Sequence, residues 1–135
     1  MTKTEIEYRG GLRTVLTHTP SGEQLTTDAP TDNHGKGEAF SPTDLIAASL
    51  ISCMVTVMGI QADKRGMNMG EVTGSVEKVM VSNPRRVGQL NIKIDFAKHN
   101  LSGADRQALE HAAINCPVAQ SLSPDIVQQA QFTYD

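Results

Sequence analysis

Two cysteines, Cys53 and Cys116, are the residues in this 135-residue chain with the broadest intrinsic reactivity. A thiolate attacks electrophilic carbon, disulfide sulfur or peroxide oxygen, and a second thiol within reach converts the first product into a disulfide. The setting of each cysteine decides whether that chemistry is open to it. Cys53 stands near the middle of a long apolar stretch, where the plain reading is a small buried hydrophobe. It lies too far along its helix to feel the positive end of the helix dipole, so it needs a cation from elsewhere to act as a nucleophile. Cys116 precedes Pro117 at an expected helix N-terminus, where unpaired N–H groups favour a thiolate, and on local physics it ranks as the more acidic thiol.

Other chemistries find less support. The four histidines, His18, His34, His99 and His111, show no ligand spacing with either cysteine, so no metal is expected. His111 is five residues before Cys116, an awkward offset for facing it across a helix, and a place facing solvent is expected. Gly10-Gly11 and Gly35-x-Gly37 fit no phosphate-binding fingerprint, and no organic cofactor is expected. Met54 and Met58, at i and i+4, read as core. A formal charge of −3 without a Lys/Arg cluster argues against nucleic acid as a partner, since Arg85-Arg86 falls in an expected turn. The opening MTKTEIEYRG lacks the apolar segment of a secretory signal, which predicts a cytoplasmic, reducing address and no permanent disulfide.

The elements that must position the thiols are well marked. Residues 41–65, SPTDLIAASLISCMVTVMGIQADKR, predict one long helix: Ser41 as N-cap, Pro42 at the first position, Asp44 completing a capping box, Lys64 and Arg65 in the last turn, and Gly66 closing it. Apolar residues cover nearly every side, which predicts burial inside a domain or a dimer. Ser49, Ser52 and Thr56 interrupt the apolar run and no interfacial aromatics flank it, so no membrane is expected as a partner. Before the helix, residues 3–9, 12–19 and 23–27 alternate or turn as an antiparallel meander, and residues 28–40 form a loop long enough to suggest function. After it, residues 71–81 and 87–97 predict a hairpin, with Leu90, Ile92, Ile94 and Phe96 facing inward. Ser102 and Asp105 open a helix through Ile114, a short helix starts near Cys116, and residues 126–134 close the order as a strand. The fold class is α+β, with the helices against one sheet face and the whole chain, 1–135, as a single domain.

SPTDLIAASLISC resembles the helix of the OsmC/Ohr family, the osmotically inducible and organic hydroperoxide resistance proteins, in which a reactive cysteine follows the cap proline by eleven residues, as Cys53 follows Pro42. NCPVAQSL, around Cys116, resembles the second-cysteine motif of the same family, and the order of elements agrees from end to end. The resemblance implies an intertwined homodimer that reduces organic hydroperoxides and peroxide. It implies Cys53 as the peroxidatic thiol, Cys116 as the resolving thiol, and an external dithiol as reductant. That assignment reverses the local acidity ranking. The family supplies the activating cation from an arginine of the N-terminal meander. Arg13 matches best, counting back from Gly22, with Arg9 as its rival.

One position departs from the pattern. Where the family's peroxidases carry a glutamate that helps hold the arginine, this chain has Thr43. Asp44 points about 100° further round the helix and reads first as a cap. Either Asp44 or Glu38 takes over the glutamate's part, or the arginine is not held. Phe40 and its loop read either as a hydrophobic mouth for substrate or as packing. The departure keeps two other readings open: a non-catalytic domain of this fold that binds an apolar small molecule, and a structural dimer with inert thiols.

Overall fold

A computed structural model describes residues 3–135. Among these residues six strands and three α-helices follow in the order β1 (Thr4–Gly10), β2 (Arg13–His18), β3 (Gln24–Asp28), α1 (Pro42–Arg65), β4 (Glu71–Val81), β5 (Arg86–Ala97), α2 (Gly103–Ile114), α3 (Pro117–Ser121) and β6 (Val127–Tyr134). The class is α+β as expected, but there are two three-stranded sheets rather than one. The chain divides into two compact units, one running to Ile46 and the other from Ala47.

In the first unit β1, β2 and β3 form the expected antiparallel meander. The alternation in β1 puts Ile6 and Tyr8 on one face, yet both stay about two-thirds exposed within this chain, against the half-buried strand that the pattern predicts. The loop after β3 carries a short 3₁₀ turn, Thr31–Asn33, and is tied back to the sheet. Phe40 pairs with Thr27 in an isolated parallel bridge, and the Asp28 N–H donates to the Phe40 carbonyl at 3.0 Å. Helix α1 starts as the sequence dictates. The Asp44 N–H donates to Ser41 Oγ at 3.1 Å, and the Ser41 N–H donates to Asp44 Oδ2 at 2.9 Å.

In the second unit α1 continues to Arg65, and Gly66, at φ +67°, turns the chain out of the helix while the Met67 N–H reaches back to the Ala62 carbonyl. The helix is long and apolar enough to cross a bilayer. In this fold it supplies a core stripe, Ala47, Leu50, Met54, Met58 and Ala62. The expectation of burial on every side is not met within one chain, because Ile60, on another side, is 49% exposed. Close approach to the sheet comes at Gly74, where a Cβ would lie 3.3 Å from Ile51 Cδ1 and collide with the Lys93 carbonyl.

The second sheet has the order β4-β5-β6. β4 and β5 form the expected hairpin, whereas β6 runs parallel to β5, which α2 and α3 make possible as the crossover. Leu90, Ile92, Ile94 and Phe96 are buried, as their alternation requires, and α2 adds Leu109 and Ala113. The far end of the sheet is fastened through Tyr134: its ring stacks on Phe96, centroids 4.8 Å apart, under the Arg106 guanidinium, and its hydroxyl donates to Glu110 Oε2 at 2.6 Å.

Candidate functional site

The second unit brings the two cysteines together. Cys53, twelve residues into the first long helix, is only partly buried beside the core positions Leu50 and Met54. Cys116 is 1% exposed and stands at the N-cap of α3, with Pro117 behind it at the first helical position. The thiols are free and near enough to one another to interact electrostatically.

That arrangement opposes the thiolate that the helix N-terminus was expected to favour at Cys116. Burial pushes its pKa above the ordinary 9.0, and the interaction with Cys53 pushes the same way. The N–H groups of Ala119 and Val118 at the start of α3 act in the opposite direction and do not prevail. Desolvation outweighs the end of a helix only five residues long. Burial therefore favours the protonated form of Cys116. Chemically this is a partly accessible sulfur backed by a buried S–H. His111 is exposed, as expected.

The first unit holds the arginine and the loop residues named with it. Arg13 and Asp28 are direct cross-strand partners in the β2–β3 ladder, which places their side chains on the same face. Arg13 Nη2 donates to Asp28 Oδ2 at 3.0 Å, and Glu38 Oε1 stands 3.5 Å from the same nitrogen. Asp28 is 1% exposed, and its Oδ2 also accepts the Glu38 N–H at 3.0 Å. Those two bonds, the backbone one first, hold the Asp28 pKa below the ordinary 3.8, and the pairing raises that of Arg13 in turn. Arg9, the rival, forms a surface pair with Glu7 instead, Nε to Oε1 at 2.8 Å.

Thr43 Oγ1 lies 3.3 Å from Ser41 Oγ, and Asp44 serves the capping box, so the cap reading of Asp44 is correct. Of the two carboxylates offered in place of the family glutamate, Glu38 does approach Arg13, from an exposed position. The stronger partner, Asp28, was not among the expected site residues. The hairpin register, centred between Pro20 and Ser21, sets residue 13 opposite residue 28, a pairing that the turn triplet Pro20-Ser21-Gly22 alone does not specify. A surface pocket of about 270 Å³ opens in this unit beside Tyr8, Leu12, Asp28 and Pro30, whereas Phe40 is 49% exposed and outside its lining.

Among curated proteins the chain has no match. Among solved structures it is similar to a protein from Psychrobacter arcticus 273-4 described in terms of an osmotic stress and detoxification response, with 45% identity, a TM-score of 0.92, and coverage of 98% of this chain and 96% of the other. It is similar in fold to the organic hydroperoxide resistance protein OsmC of Legionella pneumophila (18% identity, TM-score 0.75, 100% and 97% coverage) and to the organic hydroperoxide resistance protein OhrB of Bacillus subtilis (18%, 0.67, 98% and 97%). Residues 35–129 match the family model for OsmC-like proteins, a span that takes in both cysteines, and this chain belongs to the OsmC family.

Proposed function

We propose that this OsmC family member is a cytoplasmic thiol peroxidase for organic hydroperoxides, with residues 1–135 acting as one domain. The observation that carries the reading is the pairing of a partly accessible Cys53 with a buried Cys116 near enough to interact with it. The Cys53 thiolate attacks the terminal oxygen of the hydroperoxide and the O–O bond breaks. The alkoxide leaves with a proton as an alcohol, and Cys53 becomes a sulfenic acid. Cys116 then gives up its proton and attacks the Cys53 sulfur, forming a disulfide and releasing water. An external dithiol returns both cysteines to thiols by exchange. Arg13 supplies the cation that a thiolate away from a helix terminus needs. Ile6 and Tyr8, left largely exposed on β1, favour a second copy of the chain as the partner that covers them.

The test is mass spectrometry of the reduced protein before and after one equivalent of an alkyl hydroperoxide, with a peptide map. Loss of two hydrogens and a linked peptide pair containing Cys53 and Cys116 is the expected result. Two unchanged thiols would overturn the peroxidase and favour the ligand-binding reading, which Thr43 in place of the family glutamate keeps in view.

A further inference from the structure

We infer that Asn115 is a positioning residue for Cys116: its side chain clasps the joint between α2 and α3 and so holds that thiol where it can bond to Cys53; the inference rests on the peroxidase reading. Asn115, Gln120 and both cysteines all lie in the second unit. Asn115 and Cys116 alone separate the two helices. Pro117 has no N–H with which to continue the ladder of α2, so the chain turns here, with Cys116 extended at φ −64° and ψ 157°. The main chain fixes part of the joint. The Cys116 N–H donates to the Ala113 carbonyl at 3.2 Å, and the Cys116 carbonyl accepts the Gln120 N–H at 3.0 Å. The Asn115 amide spans the same joint: Nδ2 donates to the His111 carbonyl of α2 at 2.9 Å, and Oδ1 accepts from Gln120 Nε2 of α3 at 3.2 Å.

Asn115 and Gln120 are exposed, so water would satisfy both amides if the clasp opened, and the fold needs no such pair to meet a buried polar demand. What the clasp adds is direction. Nδ2 grips one of the last four carbonyls of α2, where the helical ladder runs out. Gln120, which carries the other amide, also holds the Cys116 carbonyl through its N–H, so one residue of α3 fastens the joint twice. Gln128 of β6 adds a further tie, Nε2 to the Ala119 carbonyl at 3.3 Å. Cys116 stands between the gripped points, and a tilt of α3 about the joint displaces its sulfur relative to Cys53. Disulfide geometry is narrow, so the strength of the pair as a bond depends on how closely that relation is held.

The test is the equilibrium of the full-length protein with a glutathione redox buffer. The two thiols and one glutathione disulfide give the Cys53–Cys116 disulfide and two glutathione thiols, the pair losing the two electrons and two protons that glutathione disulfide takes up. Acid quenching, alkylation of the remaining thiols and peptide mass spectrometry give the oxidised fraction, and the readout is the ratio of equilibrium constants, variant to wild type. Asn115→Ala is expected to lower the constant about fivefold, the scale of one net hydrogen bond, and Gln120→Ala, which removes one of the two bonds, by less. The double variant is expected to fall short of the sum of the two, because both substitutions open the same clasp. A clasp that only supports the fold stabilises oxidised and reduced protein equally: its loss lowers both urea midpoints together and leaves the equilibrium constant unchanged. That result for Asn115→Ala overturns the inference and leaves the peroxidase reading standing. Should Asn115→Ala fail to fold, Gln120→Ala decides by the same criterion. Wild-type protein that forms no bond between Cys53 and Cys116 in the buffer overturns the peroxidase reading, and the inference with it.

Discussion

Closing a bond between Cys53 and Cys116 has a consequence for stability that can be sized from the chain. The two residues lie 63 positions apart. In the loop-closure account, a crosslink over that length removes enough entropy from the unfolded chain to stabilise the fold by about 4 kcal/mol, less any strain in the native bond. Little strain is expected where the two thiols already lie near one another and Cys116 is already buried. For a chain of this size in urea, where each molar lowers stability by roughly 2 kcal/mol, the unfolding midpoint should rise by about 2 M on oxidation. The assay is a urea titration of reduced protein and of protein treated with one equivalent of alkyl hydroperoxide, at one fixed concentration so that self-association contributes equally. Cys53→Ser serves as the control and should show no shift. A sample shown by mass to have lost two hydrogens, but melting at the midpoint of the reduced form or below it, would refute the claim that the fold holds the thiols ready to join.

Two further outcomes follow from the second sheet and from Cys116. Tyr134→Phe removes the hydroxyl that donates to Glu110 at 2.6 Å and should cost about 1–2 kcal/mol in the same titration, with little effect on alkylation of Cys53; no loss would mean that the bond contributes nothing net. Stability should fall as pH rises above about 9, because folding raises the pKa of Cys116, so the unfolded chain gives up that proton first and binds fewer protons over this window. Cys116→Ser should flatten part of the slope between pH 9 and 10, and an identical slope in urea midpoints would contradict the burial argument.

Much of this was legible in the amino-acid order because the signals are local. Both capping boxes, the proline behind Cys116 and the glycine after Arg65 act through neighbours three or four positions away, and the helix starts and stop they predict are present. The alternation of Leu90, Ile92, Ile94 and Phe96 likewise gave the core face of β5. What escaped depends on distant pairings. The parallel docking of β6 on β5 leaves no mark in either strand, since Val127–Tyr134 would read the same in an antiparallel pair. Asp28 looks like an ordinary loop aspartate until the register of the β2–β3 hairpin sets it against Arg13. The burial that opposes a thiolate at Cys116 was not foreseen, because the dipole of a helix is visible in sequence and the depth of burial is not.

The crossover between β5 and β6 also bears on how such a protein fails. Cys116 travels with that crossover, whereas Cys53 is fixed in the long helix, so opening of the crossover alone separates the sulfurs while the β4–β5 hairpin stays paired. Under the peroxidase reading, a sulfenic acid formed at Cys53 in that interval has no thiol to condense with. A second peroxide then carries it to sulfinic acid, from which an ordinary dithiol does not bring it back. On that reading the docking of α2 and α3 would govern how many turnovers a molecule completes before it is lost.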